Sequence, residues 1–149
     1  MNYLEWNNAL SEFLFNEEKG DAEKRIFLFV TKSTIIKIGK KNNLNGTDEQ
    51  IFQDYFESIT NVHSDPIKVA HRYYTQWLRD PDAYDFPPFI ACLILFVLPL
   101  TVEAMHAHYN VNNYYDRLND YFHEKKLTEQ NVRIGTQKFC RITSLWKKL

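Results

Sequence analysis

Phe86-Pro87-Pro88-Phe89-Ile90-Ala91-Cys92-Leu93-Ile94-Leu95-Phe96-Val97-Leu98-Pro99-Leu100-Thr101-Val102 is the long uncharged run of this chain. Such a run must either cross a lipid bilayer or be enclosed by the rest of the protein, and that choice decides the fold. At about 1.5 Å per residue the segment reaches roughly 26 Å, short of the roughly 30 Å hydrocarbon layer. Pro99, which has no amide proton, interrupts a regular helix near its far end. Asp80, Asp82 and Asp85 precede the run and Glu103 follows it, with no cluster of Lys and Arg to orient an inserted segment. The expectation is a central helix over about residues 88–104 enclosed by protein, with no membrane association.

Working outward, the flanking sequence supplies the elements to enclose it. Tyr3, Trp6, Leu10, Phe13 and Leu14 recur at helical spacing and define a first helix that ends near Glu18, before Gly20. Ile51, Phe52, Tyr55, Phe56 and Ile59 mark a second, with Thr47 or Asp48 as its N-cap. Ile67, Ala70, Tyr73, Tyr74, Trp77 and Leu78 mark a third behind Asp65-Pro66, a cap residue followed by a proline at the first helical position. Tyr114, Tyr115, Leu118, Tyr121 and Phe122 form a further stripe, and Phe139, Ile142, Leu145, Trp146 and Leu149 the last. Ile26 to Val30 breaks this pattern as a short β-prone run that needs a strand partner, either Thr34 to Ile38 or Asn131 to Ile134, the second being favoured. Thr34 to Ile38 reads alternatively as a short helix closed by Gly39. The fold class expected is mainly α, a helical cluster around the central apolar helix, with a minimal two-stranded sheet.

The 149 residues fit one domain, 1–149, and an apolar content of 44% is enough for a packed core. The chain stops at Trp146-Lys147-Lys148-Leu149 inside an unfinished apolar stripe, which fits either the N-terminal part of a longer chain or a helix that simply ends. Two cysteines, Cys92 and Cys140, provide no disulfide framework and imply a reducing, cytoplasmic setting. Residues Met1 to Glu5 lack the basic region and apolar stretch of a secretory signal.

Several chemistries are excluded on spacing. With glycine only at Gly20, Gly39, Gly46 and Gly135, neither a phosphate-binding Gly-rich loop nor a dinucleotide fingerprint can be built, and no serine lies in a Gly-x-Ser-x-Gly elbow. Asp80, Asp82 and Asp85 lack the glycine and terminal glutamate of a calcium loop and read as turn-forming and capping residues. Glu103 and His106 make one Glu-x-x-His unit where di-iron bundles need two. His106 and His108, two apart on a helix, point about 200° away from each other. No cofactor is therefore expected, and a metal-dependent enzyme with Glu103, His106 and His108 converging is the least favoured functional reading.

The formal net charge of −1 argues against a surface given over to nucleic acid, but its distribution is uneven. Six basic and no acidic residues lie between Lys24 and Lys41, and Arg133, Lys138, Arg141, Lys147 and Lys148 follow Glu129 without an acid. Lys37, Lys40, Lys41, Arg133, Lys138 and Arg141 are the candidate nucleic-acid contacts if the two segments meet; solvated helix faces are the plainer explanation. Aromatics interleaved with bases, as in Arg72-Tyr73-Tyr74, match core stripes better than stacking platforms.

Trp6 with Phe13-Leu14-Phe15-Asn16-Glu17-Glu18, Pro87-Pro88-Phe89 leading the apolar helix, Tyr114-Tyr115-Asp116-Arg117-Leu118, and Leu145-Trp146 together give the chain a look similar to bacterial helical domains at the start of larger proteins, some associated with phage defence. That resemblance implies a component or assembly domain and transfers no active-site residue. The leading functional expectation is thus a non-enzymatic helical module that docks onto another protein domain or subunit, or onto a second copy. Nucleic-acid binding through segments 24–41 and 133–148 is the alternative.

Overall fold

The first helix begins because Asn2 and Glu5 cap it reciprocally. The Asn2 side chain accepts from the Glu5 amide at 2.9 Å, and the Glu5 carboxylate accepts from the Asn2 amide at 2.8 Å. The computed structural model describes residues 1–17, 30–104, 114–124, 136–146 and 148. Seven α-helices occur among them: α1 (Tyr3–Glu12), α2 (Lys32–Lys41), α3 (Asp48–Thr60), α4 (Pro66–Arg79), α5 (Ile90–Ala104), α6 (Tyr114–Glu124) and α7 (Thr136–Trp146). A π-helical turn, Phe13–Glu17, prolongs α1, and a short 3₁₀ turn, Pro81–Ala83, follows α4. Thr47 and Gln50 form a second capping box at α3, while Asp65 caps α4 by accepting from the Ile67 amide at 2.9 Å, with Pro66 at the first helical position.

The apolar run forms α5, and the rest of the chain is arranged around it. Every side chain from Phe89 to Phe96 is fully buried. Helices α1, α4, α6 and α7 pack directly on α5, and α3 reaches it through Tyr55; α2 stands outside, against α1 and α3. Each large apolar side chain so enclosed contributes roughly 1.5–3 kcal/mol relative to exposure. The helix continues through Pro99 to Ala104, although a proline there offers no amide to the Leu95 carbonyl. No helix among the described residues is long and apolar enough to cross a membrane.

The start of α5 poses the harder problem, because its first amides are buried and lie behind Pro87-Pro88, where no side chain can cap locally. Asn7 of α1, itself fully buried, supplies the cap across 84 residues: its Oδ1 accepts from the Ala91 amide at 2.9 Å, and its Nδ2 donates to the Pro87 carbonyl at 3.0 Å. The Tyr3 hydroxyl donates to the Pro88 carbonyl at 2.8 Å, and the Tyr55 hydroxyl to the Ala91 carbonyl at 2.6 Å. Three side chains from two helices thus satisfy the backbone at the point where the apolar helix enters the core.

Two expectations are corrected. The two-stranded sheet is not seen: no strand occurs among the described residues, and Thr34 to Ile38 lies within α2. There the β-branched run is capped by Thr31 and buries Ile35, Ile36 and Ile38 at helical spacing, so amphipathic packing outweighs local β preference. Residues 26–29 and the other candidate partner, 131–134, lie outside the described residues. Gly39 does not close the helix either. It sits inside α2, where an added Cβ would collide with Ile51 Cγ2 and lie 3.1 Å from Trp6 Cη2, so it is the absence of a side chain that lets α2 approach α1 and α3.

Asn7→Ala leaves the Ala91 amide and the Pro87 carbonyl buried without that partner and is expected to lower the unfolding free energy by about 2–4 kcal/mol in urea titration. Gly39→Val is expected to cost ~2 kcal/mol or more through overpacking against Ile51 and Trp6, read by the same titration; an unchanged midpoint would refute the close-packing role.

Candidate functional site

A cluster of buried polar and titratable groups surrounds the start of α5, and its chemistry is structural. The Tyr3 hydroxyl lies 3.4 Å from Cys92 Sγ, and the hydroxyl of Tyr55 on α3 reaches the carbonyl of the preceding residue, Ala91. Burial pushes the Cys92 thiol up to about 12 despite the opposing effect of its hydrogen bond with Tyr3, and burial likewise raises Tyr3 and Tyr55 well above the ordinary tyrosine range. A nucleophilic cysteine needs the opposite, a thiolate favoured near neutral pH. Cys92 is therefore a small buried hydrophobe with a weak hydrogen bond, as its place in the apolar run suggests.

The basic residues of α2 divide between two sides. Lys32 pairs with Glu49 and lies 4.9 Å above the Phe52 ring, and Lys40 pairs with Asp48 at 2.8 Å, so the acidic first turn of α3 neutralises both. Lys37 and Lys41, on the other side, line a cleft of about 490 Å³ between α2 and the end of α1, together with Glu12, Phe13, Thr34 and Ile38. Of the remaining candidate nucleic-acid contacts, Arg141 is exposed on α7, whereas Arg133 and the Lys138 side chain lie outside what is described. Helix α7 packs on α4 and α5, and α2 on α1 and α3, so the described basic positions are carried by helices with different neighbours.

Glu103 lies on the last turn of α5; its side chain, and His106 and His108, lie outside what is described. No group of three or more His, Cys, Asp or Glu poised to hold a metal ion occurs among the described residues. His71 on α4 has its pKa lowered by partial burial and by the neighbouring Arg141, so α4 and α7 meet at a histidine held neutral.

The surface feature that periodicity alone misses is the C-terminal half of α4. Leu78 belongs to the apolar stripe by spacing, yet it is 60% exposed. On the preceding turn Tyr74 and Trp77 are half-buried, each edge-on to Phe89 with centroids 5.8 and 5.7 Å away. Phe89 is already fully enclosed at the head of α5, so the stripe runs out of core to cover at Leu78. Arg72 and Arg79 are exposed along the same helix, and Asp80, Asp82 and Asp85 follow in the turn, which Tyr84 fixes by donating to Gln76 Oε1 at 3.0 Å.

No family model, curated protein or solved structure compared with the chain matches it.

Thiol labelling of the native protein is expected to modify Cys140 and spare Cys92 until the chain unfolds. The linkage sign follows from the raised pKa: folding favours the protonated thiol, so this contribution is complete below the unfolded value near 9 and is lost as pH rises toward about 12, Tyr3 and Tyr55 adding in the same direction above 10. Urea midpoints should fall across that window, and less steeply in Cys92→Ala.

Proposed function

We propose that this chain is a non-enzymatic helical assembly module whose docking surface is the C-terminal half of α4, and that the surface it meets is a second copy of itself. Leu78 carries the reading, as the exposed large hydrophobic side chain beside two rings that the core already holds in place. Rings fixed in advance cost little entropy on binding, and Trp and Tyr are the commonest anchors of protein interfaces.

Charge arrangement supports self-pairing. Exposed Arg72 and Arg79 lie on the same helix as Leu78, and exposed Asp80, Asp82 and Asp85 follow in the turn after it, so this end of α4 carries both signs of charge. A two-fold interface brings the same patch from both copies together, and such a patch can set the basic edge of each copy over the acidic edge of its mate. The formal net charge of −1 leaves little overall repulsion between copies. The resemblance to N-terminal helical domains of larger bacterial proteins is the basis for extending the role to a component of a bacterial multi-component system, with anti-phage defence as the setting it suggests.

Sedimentation velocity and native mass spectrometry of the whole chain test the reading. A dimer is expected, and Leu78→Asp should weaken it by about tenfold or more with an unchanged circular dichroism spectrum. A wild-type chain that stays monomeric at all concentrations, or a dimer indifferent to Leu78→Asp, contradicts it.

A further inference from the structure

The turn that joins α2 to α3, residues 42–47, reads Asn42-Asn43-Leu44-Asn45-Gly46-Thr47. An asparagine carboxamide is open to attack by the main-chain nitrogen of the residue that follows it, provided that this nitrogen is not already held in a hydrogen bond and that the following residue has no side chain in the way. Most asparagines of the described turns fail the first condition. The amide after Asn42 donates to the Lys40 carbonyl at 3.0 Å, the amide after Asn43 to the Gly39 carbonyl at 3.0 Å, and the amide after Asn61 to the Ile59 carbonyl at 3.0 Å. Asn42 is held a second time, its Nδ2 donating to the Ile38 carbonyl at 2.8 Å.

Asn45 meets both conditions. Asn45 and Gly46 are exposed, and neither the Asn45 carboxamide nor the Gly46 amide makes a hydrogen bond among the described residues. The glycine is there for a structural reason. Gly46 has φ +120°, and a Cβ on it would lie 2.5 Å from Gln50 Oε1, the atom that accepts from the Thr47 amide at 2.8 Å in the capping box of α3. The device that starts α3 thus demands, directly after an unheld asparagine, the residue that shields it least.

We propose that Asn45-Gly46 is a site of spontaneous covalent modification, at which Asn45 deamidates and the main chain isomerises in the native protein. The Gly46 nitrogen, losing its proton, bonds to Asn45 Cγ, and the carboxamide nitrogen leaves as ammonia, which closes a five-membered succinimide. Water from solvent then opens the ring: addition at the side-chain carbonyl gives aspartate, and addition at the main-chain carbonyl gives iso-aspartate, with the peptide link carried through the former side chain. No oxidant, metal or second protein is needed. Either product adds a carboxylate to a chain of formal net charge −1, two residues before the Thr47 cap and next to the acidic first turn formed by Asp48 and Glu49. The iso-aspartyl form also lengthens the main chain by a methylene immediately ahead of the capping box.

Incubation of the whole chain in mildly alkaline buffer, native and in guanidinium, followed by peptide mapping with electron-transfer fragmentation, tests this. In the native chain Asn45 is expected to convert several times faster than Asn42, Asn43 or Asn61, with the iso-aspartyl product in excess. Guanidinium should speed Asn42 and Asn43 by freeing the amides after them and change Asn45 least, because its turn already leaves the Gly46 amide open. Methyl transfer from S-adenosylmethionine by a protein iso-aspartate carboxyl methyltransferase gives a second readout: aged wild type should accept methyl groups and aged Asn45→Gln should lose most of that signal, with an unchanged circular dichroism spectrum since Asn45 is exposed. Native-state conversion of Asn45 no faster than that of Asn42 or Asn61, a gain in guanidinium as large as theirs, or undiminished methyl acceptance in Asn45→Gln would overturn the proposal.

Discussion

Everything in this fold depends on bringing an uncharged helix into a protein interior without stranding the backbone where it enters. The apolar side chains of α5 drive burial, but the amides and carbonyls around Pro87 to Ala91 would each cost free energy if enclosed unpaired. Proline occupies two of the positions before the helix, so no local residue can cap it. Asn7 and Tyr3 on α1 and Tyr55 on α3 take that role, which ties the N-terminal helices to the central one through directional bonds as well as apolar contact. Hydrophobic burial is tolerant of rotation and slippage; these four bonds are not, and they set the register of α1 and α3 on α5.

The same demand shapes what is left for function. Tyr3, Tyr55 and Cys92, all strongly perturbed titratable groups, are held in their neutral forms by burial and are used for support. Features that face outward are the end of α4, where the apolar stripe outruns the core, and the cleft between the end of α1 and α2, which Lys37 and Lys41 help to line. They lie on different helices.

Much of the architecture was legible in the sequence. The central helix, the stripes of α1, α3, α4, α6 and α7, and the caps at Thr47 and Asp65 follow from periodicity and from side chains that bond their own backbone. What periodicity could not show was tertiary. The β-branched run around Ile35 and Ile36 has strand propensity, and only its packing against α1 and α3 makes it helix. Gly39 looks like a helix terminator until Trp6 and Ile51 are seen against its Cα. Asn7 lies among polar neighbours in the sequence and gives no hint of a bond to Ala91. For the candidate sites, the sequence marked Lys37 and Lys41 as basic but not that they line a cleft, and it assigned Leu78 to the core because a stripe does not reveal where its partner surface ends.

Native-state hydrogen exchange, followed by mass spectrometry on peptides covering residues 89–98, tests the central claim most directly. If α5 is enclosed and its entry capped as described, the Ala91 amide and those after it open only with global unfolding and are among the slowest in the chain, slower than those of the exposed turn around Pro81–Ala83. Exchange of residues 89–98 at the rate of that turn would contradict the account.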